Sequence, residues 1–196
     1  MKVQIIYSSL SGNTERLAKE IGLFLGKEYE YSIHNLKDGV PQLDGDVILL
    51  GYWVDKAAPD KKMMEFMETI EGKAIGLFCT LGYYADSAHA QTSIINGAKI
   101  VAEKNTIIGT YICNGAISDA IIKRFRQNGT TGSHSASPEN EIRWDILKEH
   151  PTKAECQLAG ERFYERVKIY ERYVEQGLNF KSILPYQEEQ SLNREF

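Results

Sequence analysis

Cysteine and histidine are scarce in this sequence, which has three cysteines and four histidines among 196 residues. Cys79, Cys113 and Cys156 form no C-x-x-C pair, and the histidines lack the spacing of metal ligands. These absences argue against a disulfide framework, and we predict no metal site. Because Cys79 and Cys113 lie in apolar segments, we expect them to be buried free thiols.

Long hydrophobic runs are absent as well. No apolar stretch approaches the ~20 residues that a membrane-spanning helix needs, and a strand pattern begins at residue 2, where a signal peptide would lie. The net charge of −4 disfavours nucleic-acid and anionic membrane surfaces and suits a partner with basic patches. The sequence therefore predicts a cytoplasmic protein that binds neither nucleic acid nor membrane.

The chain alternates β-prone and helix-patterned segments, without a linker or an internal repeat. Strands are predicted near 2–7, 29–33, 46–51, 73–80 and 106–113, and helices at 14–27, 60–70, 87–104, 118–126, from 137 onward and at 152–176. This alternation predicts the α/β class, with a doubly wound, five-stranded parallel sheet of order 2-1-3-4-5 and helices on both faces. The turn-forming residues 37–41 leave little room for a helix between the second and third strands.

The predicted domain covers 1–177 and includes an extra segment at about 114–151. Within that segment, residues 127–136 are rich in Gly, Ser and Thr and are expected to be mobile. The C-terminal tail, 178–196, has apolar side chains that dock either on the body of the protein or on a second copy of the chain.

Ligands of such sheets bind beyond the carboxyl ends of the strands, which selects the loops at 8–14, 51–60 and 80–87. The first loop has small polar residues and leads into a helix, whose free N–H groups and dipole favour a phosphate. It contains no Lys or Arg, so neutral hydrogen bonds and the helix end would hold a terminal phosphate. The candidate residues are Ser9, Leu10, Ser11, Gly12, Asn13 and Thr14.

The segment from Ile5 to Ile21 resembles the flavodoxin signature at every position. The pattern is two aliphatic residues, an aromatic one, any residue, Ser or Thr, any two, a small one, any residue, Thr, any three, Ala, any two and an aliphatic one. The resemblance implies a flavodoxin-like fold and the cofactor flavin mononucleotide (FMN), with its phosphate in the first loop. It covers roughly residues 1–113 and the last long helix.

The other two loops each carry aromatic residues, and a flat ring is a geometrically specific partner for a flavin. The family resemblance implies that Trp53 or Tyr52 covers one face of the flavin and Tyr83 or Tyr84 the other, with backbone groups at the pyrimidine edge. An alternative for Trp53 is packing under the following helix. The residues predicted to bind the cofactor here are Tyr52, Trp53, Val54, Asp55, Thr80, Leu81, Gly82, Tyr83 and Tyr84.

Three acidic residues follow these strands: Asp55, Asp60 and Asp86. Their charges would make a negatively charged reduced flavin costly, so we hypothesise an FMN centre of low reduction potential. The alternative for Asp60 and Asp86, which both precede predicted helices, is helix capping.

One departure from the family concerns the glycine that flavodoxins usually carry within the loop after the third strand. Here Gly51 lies at the strand end and no glycine follows through Asp60. A backbone flip in that loop would therefore be harder, which leaves open whether electrons move singly or in pairs.

The sequence supports two candidate functions and argues against a third. The leading hypothesis is an FMN-dependent electron carrier that serves a redox partner protein. The alternative is an NAD(P)H-dependent FMN or quinone reductase of the same fold. A receiver-type signalling domain is disfavoured, because it needs carboxylates where this chain has Tyr7-Ser8-Ser9 and Gly51-Tyr52.

Overall fold

The computed structural model describes residues 1–127 and 135–183. The strands are β1 (Lys2–Tyr7), β2 (Glu30–Asn35), β3 (Val47–Asp55), β4 (Ala58–Pro59), β5 (Ala74–Leu81) and β6 (Thr106–Asn114). The helices are α1 (Asn13–Leu25), α2 (Lys61–Met67), α3 (Ala88–Ala102), α4 (Asp119–Gln127), α5 (Pro138–Ile146) and α6 (Lys153–Glu175). A single 3₁₀ turn, Leu36–Asp38, follows β2 before β3 begins, consistent with the expectation that no long helix fits there.

The five long strands form a parallel sheet in the order β2-β1-β3-β5-β6. This confirms the predicted order, with β5 and β6 as the fourth and fifth of the predicted strands. The additional strand β4 has two residues and pairs antiparallel with the end of β3. Strand β3 therefore continues to Asp55, and the predicted loop after Gly51 is instead a β-hairpin.

Helices cover both faces of the sheet because its central strands are apolar on both sides. On one face α1 and α6 enclose a core that includes Leu17, Phe78 and Phe163. On the other face α2 and α3 enclose a second core that includes Met63 and Ile94. Cys79, Cys113 and Cys156 are buried free thiols, as expected for the first two.

Helix α6 begins with a capping box, at the place where the sequence predicts a helix from residue 152. The Thr152 hydroxyl accepts a hydrogen bond from Glu155 N at 3.2 Å, and the Glu155 carboxylate accepts one from Thr152 N at 2.6 Å. Two backbone donors at the helix end are satisfied in this way. Helix α5 likewise starts where predicted, with Ser137 as its N-cap and Pro138 in its first turn.

The described part of the tail, 178–183, packs on the body of the protein. The ring of Phe180 lies 5.6 Å from that of Tyr170 and 5.2 Å from that of Tyr173. Ile183 N donates to Ile107 O of the edge strand β6 at 2.7 Å. The rest of the tail and most of the segment predicted to be mobile lie outside the described residues. Within 1–127 and 135–183, no helix is long and apolar enough to span a bilayer.

Candidate functional site

The N-terminus of α1 lies at the carboxyl end of β1, in the middle of the sheet. Four other helices have a side-chain N-cap, supplied by Asp60, Ser87, Ser137 and Thr152. Helix α1 has none and begins instead after Gly12, whose φ of +88° is left-handed. A Cβ at Gly12 would meet no atom within 4 Å, so the space beside this turn is open. The N-cap position therefore supplies no side-chain acceptor to the first N–H groups of α1.

Two hydroxyls of the first loop accept hydrogen bonds within the loop. Ser9 Oγ accepts a hydrogen bond from Gly12 N at 3.1 Å, and Ser11 Oγ accepts one from Asn13 Nδ2 at 3.0 Å. Within residues 1–127 and 135–183, neither hydroxyl donates to an acceptor. Both O–H groups remain available as donors, which is what a phosphate requires.

The side chains of two other polar residues of this loop are hydrogen-bonded to other parts of the protein. Asn13 Nδ2 also donates to Ala116 O at 2.8 Å, so the amide joins the loop to the segment after β6. The hydroxyls of Thr14 and Thr80 lie 2.9 Å apart, and both residues are buried. This pair connects the first loop to the end of β5, so the two side chains position the loops rather than face an open site.

A buried carboxyl group lies below the first loop. Asp60 Oδ1 accepts hydrogen bonds from Ser8 Oγ at 2.9 Å and from Met63 N at 3.4 Å, while Oδ2 is buried without a partner in the described structure. Burial raises the pKa of Asp60 above its ordinary value. Asp60 thus caps α2, as the alternative in the sequence analysis proposed. For Asp86 that alternative is wrong, because Ser87 caps α3.

The buried Asp60 carboxyl group should make the stability of the folded protein depend on pH. Because its pKa is raised by folding, the protonated group favours the folded state at low pH, and this contribution is lost as the pH rises through the folded-state pKa. Asp60→Asn should therefore gain stability relative to the wild type between about pH 4 and pH 7. Urea unfolding of both proteins across this range measures the difference. A difference independent of pH would contradict the assignment.

Two neighbouring aromatic residues of β3, Tyr52 and Trp53, lie in different surroundings. Side chains alternate along a strand, so Tyr52 and Trp53 point to opposite faces. Tyr52 is fully buried in the core below α3, and its hydroxyl donates to Ser93 O at 3.2 Å. Of the two alternatives predicted for this face of the flavin, Trp53 or Tyr52, the buried Tyr52 is therefore excluded from contact with a ligand. Trp53 is half-buried and belongs to neither buried core, so it is the aromatic side chain of this pair that a ligand can contact.

The tip of the hairpin has left-handed backbone at two residues that are not glycine. Lys56 has a φ of 49° and Ala57 a φ of 60°. Such angles suit a tight turn between antiparallel strands but are unfavourable for residues with a Cβ. Asn96 Nδ2 of α3 donates to Ala57 O at 2.8 Å and holds the turn in place. Val54 and Asp55, which were also predicted to bind the cofactor, pair with β4 through their backbones.

The third loop presents two exposed rings. Tyr83 and Tyr84 are 38% and 48% exposed, and their centroids lie 4.9 Å apart in an edge-to-face arrangement. Ala85 N donates to Asn114 Oδ1 at 2.7 Å, which connects this loop to the end of β6. Leu81 is buried below the loop, and a Cβ on Gly82 would lie 2.5 Å from Ile117 Cγ1. The loop is thus fixed from below while its two tyrosines face outward.

The structure adds two features that the sequence analysis missed. The segment 114–116, which ends β6 and continues just beyond it, contacts the third loop through Asn114 and the first loop through Ala116. The strand order could have identified it, because β6 lies next to β5 in the sheet. Arg143 of α5 is the second feature, with its guanidinium carbon 4.6 Å from the Tyr83 ring centroid and 5.8 Å from that of Tyr84. No local signal marks this long-range contact.

A parallel α/β sheet with an uncapped helix end and aromatic residues at its carboxyl edge defines the class of a nucleotide-binding doubly wound protein. The family model for the flavodoxin domain matches residues 4–163. The chain therefore belongs to the flavodoxin family.

Two curated relatives support this assignment. The flavodoxin-like domain-containing protein BilS of Clostridioides difficile is 32% identical over 152 residues, which are 76% of this chain and 84% of the relative. Its namesake in Clostridium symbiosum is 27% identical over 142 residues, covering 64% of this chain and 74% of the relative.

Solved flavodoxins have the same fold at low sequence identity. The Fusobacterium nucleatum flavodoxin bound to FMN superposes with a TM-score of 0.51 at 16% identity, covering 87% of this chain and 97% of its own. Oxidised flavodoxin 2 from Bacillus cereus has a TM-score of 0.51 at 17% identity, covering 87% of this chain and 99% of its own. FMN, the cofactor predicted from the sequence, is the ligand of the Fusobacterium protein.

Proposed function

We propose that this chain binds FMN at the edge of the sheet and carries electrons to a protein partner. The observation that carries the proposal is the N-terminus of α1, which alone among α1, α2, α3, α5 and α6 lacks a side-chain cap. Its backbone N–H groups and the helix dipole favour a dianion, and the O–H groups of Ser9 and Ser11 supply further donors. The residues present therefore fit the phosphate of FMN.

The aromatic residues fit the ring of the cofactor. Trp53 on the hairpin and Tyr83 on the third loop flank the carboxyl edge of the central strands, and aromatic faces stack favourably on an extended ring. When bound, FMN supplies the electron-accepting ring system. The chain contributes phosphate binding, orientation of the ring, exclusion of water from the ring faces and an electrostatic environment.

Transfer to a protein partner is supported by the surface around this site. Leu10 is 57% exposed and Tyr84 is 48% exposed, so apolar contact surface is available next to the proposed cofactor. The net charge of −4 favours electrostatic attraction to a partner with a basic surface. Both features suit brief encounters in which the edge of the ring approaches another redox centre.

A reductase that uses NAD(P)H is the second candidate, favoured by one observation. The extra segment forms α4 and α5, and Arg143 of α5 contacts the third loop. This segment therefore borders the proposed site and could form one wall of a pocket for a nicotinamide ring.

Binding of flavins by the purified full-length chain tests the proposal. We expect quenching of flavin fluorescence with FMN, and affinity at least about tenfold weaker for riboflavin, which lacks the phosphate. A chain that stays colourless and shows no micromolar affinity for FMN would contradict the proposal. Loaded protein should oxidise NADH or NADPH only slowly with a quinone as acceptor, whereas rapid turnover would favour the reductase.

A further inference from the structure

Within residues 1–127 and 135–183, Arg143 has no carboxylate partner, unlike Arg126 and Lys148 of the same extra segment. In the same extra segment, Arg126 pairs with Glu141 at 2.7 Å and Lys148 pairs with Asp145 at 2.6 Å. Within residues 1–127 and 135–183, Arg143 forms no ion pair, and its Nε is buried without a hydrogen-bond partner. Its charge lies instead against the rings of Tyr83 and Tyr84.

The position of Arg143 is fixed by its surroundings. The next residue, Trp144, is 2% exposed, and its ring lies 5.6 Å from that of Phe125 in α4. Ser137 caps the start of α5, and Leu147 N donates to Arg143 O at its end. The buried tryptophan anchors α5 on α4, and this packing keeps the guanidinium group against the third loop.

We propose that Arg143 raises the reduction potential of the FMN centre, by favouring the reduced cofactor electrostatically from its position on the Tyr83–Tyr84 pair. The inference depends on the proposed function. Adding two electrons and one proton to oxidised FMN leaves one extra negative charge on the ring, and a nearby unpaired cation stabilises that charge. Arg143 is a positioning and electrostatic residue here, since it acts across the tyrosine rings.

The effect of Arg143 on the reduction potential is opposite to the effect hypothesised for the acidic residues. Arg143 raises the potential, whereas the acidic residues would lower it. Asp55 and Asp86 are exposed, so water and salt screen their charges. Asp60 is buried below the first loop and caps α2. Arg143 is the partly buried charge next to the third loop, and screening weakens its effect less. A redox titration of the wild type decides where the total potential lies relative to free FMN.

Arg143→Gln tests the inference through the ratio of the dissociation constants of reduced and oxidised FMN, obtained from anaerobic dithionite titration and flavin fluorescence. We expect this ratio to rise about tenfold, which equals a potential lower by about 30 mV for a two-electron couple. Arg143→Lys keeps the charge and should stay within about twofold of the wild-type ratio. Lys148→Gln removes a paired charge from the same segment and should leave the ratio unchanged.

Three outcomes would overturn the inference. In the first, Arg143→Gln weakens both redox states equally, which indicates a packing role. In the second, the Lys and Gln variants shift the potential by the same amount. In the third, the ratio does not change. Failure of the wild type to bind FMN would instead contradict the proposed function. Arg143→Met, which keeps the aliphatic part of the side chain, replaces the Gln variant if thermal unfolding shows that the latter is not folded.

Discussion

Gly12→Asp is expected to weaken FMN binding by at least about a hundredfold relative to Gly12→Asn. Both substitutions place a side chain of nearly the same shape at a φ of +88°, which Asp and Asn tolerate better than other residues do. Both side chains enter the open space beside the N-terminus of α1. Only the carboxylate repels a dianionic phosphate there, so the comparison isolates the charge.

Titration of the two variants with FMN and with riboflavin measures the effect. Riboflavin lacks the phosphate, so its dissociation constant should differ by less than about threefold between the variants. An equal loss of affinity for both flavins would indicate that the substitution disturbs the ring site. Equal FMN affinity in the two variants would contradict phosphate binding at this helix end.

The sheet could be predicted from the sequence because each central strand is a short apolar run between turn signals. Residues 47–50, for example, are all buried, and a run that is apolar on both faces indicates a strand covered by helices on each side. The starts of helices could likewise be predicted where the sequence has a capping motif, as at Ser137-Pro138 and Thr152-x-x-Glu155. These signals are local, so sequence reasoning can use them.

The hairpin after Gly51 could not be predicted in the same way. Its turn residues, Lys56 and Ala57, are not the glycine or asparagine that usually mark left-handed backbone, so no turn signal indicated a hairpin. Treating 51–60 as a loop then left Tyr52 and Trp53 equivalent. Strand alternation, which separates them by burying Tyr52 below α3, applies only once the strand is known to continue.

The contact between Arg143 and Tyr83 could not be predicted because it depends on tertiary structure. The two residues are 60 positions apart and meet only after α5 folds back over the sheet edge. The interruption of the strand-to-helix alternation identified the segment at 114–151 as extra but carried no information about its partner. Placement of such an insertion depends on long-range packing, here of Trp144 on Phe125.

Gly51→Ala is expected to destabilise the folded protein by about 3 kcal/mol, because the added methyl group overlaps a buried ring. A Cβ on Gly51 would collide with the Cζ and Cε2 atoms of Phe78. Phe78 is fully buried and lies edge-on to Phe163 at 5.9 Å, so its ring has little room to move. Gly51 at the end of β3 thus has a packing explanation: this glycine admits the Phe78 ring.

A double-mutant cycle with Phe78→Leu separates this overlap from other effects of the substitution. The smaller side chain removes the overlapping ring atoms, so Gly51→Ala should cost about 1 kcal/mol or less in the Phe78→Leu background.

Gly72→Ala is a matched control, because a Cβ there meets no atom within 4 Å and only the left-handed backbone opposes it. Its expected cost is about 1 kcal/mol. Urea unfolding measures all four proteins of the cycle and the control. Since Gly51 O also accepts a hydrogen bond from Ser8 N at 2.8 Å, the Gly51→Ala protein should bind FMN more weakly at temperatures where it is still folded. An equal cost of Gly51→Ala in both backgrounds would show that Phe78 is not the reason for a glycine at this position.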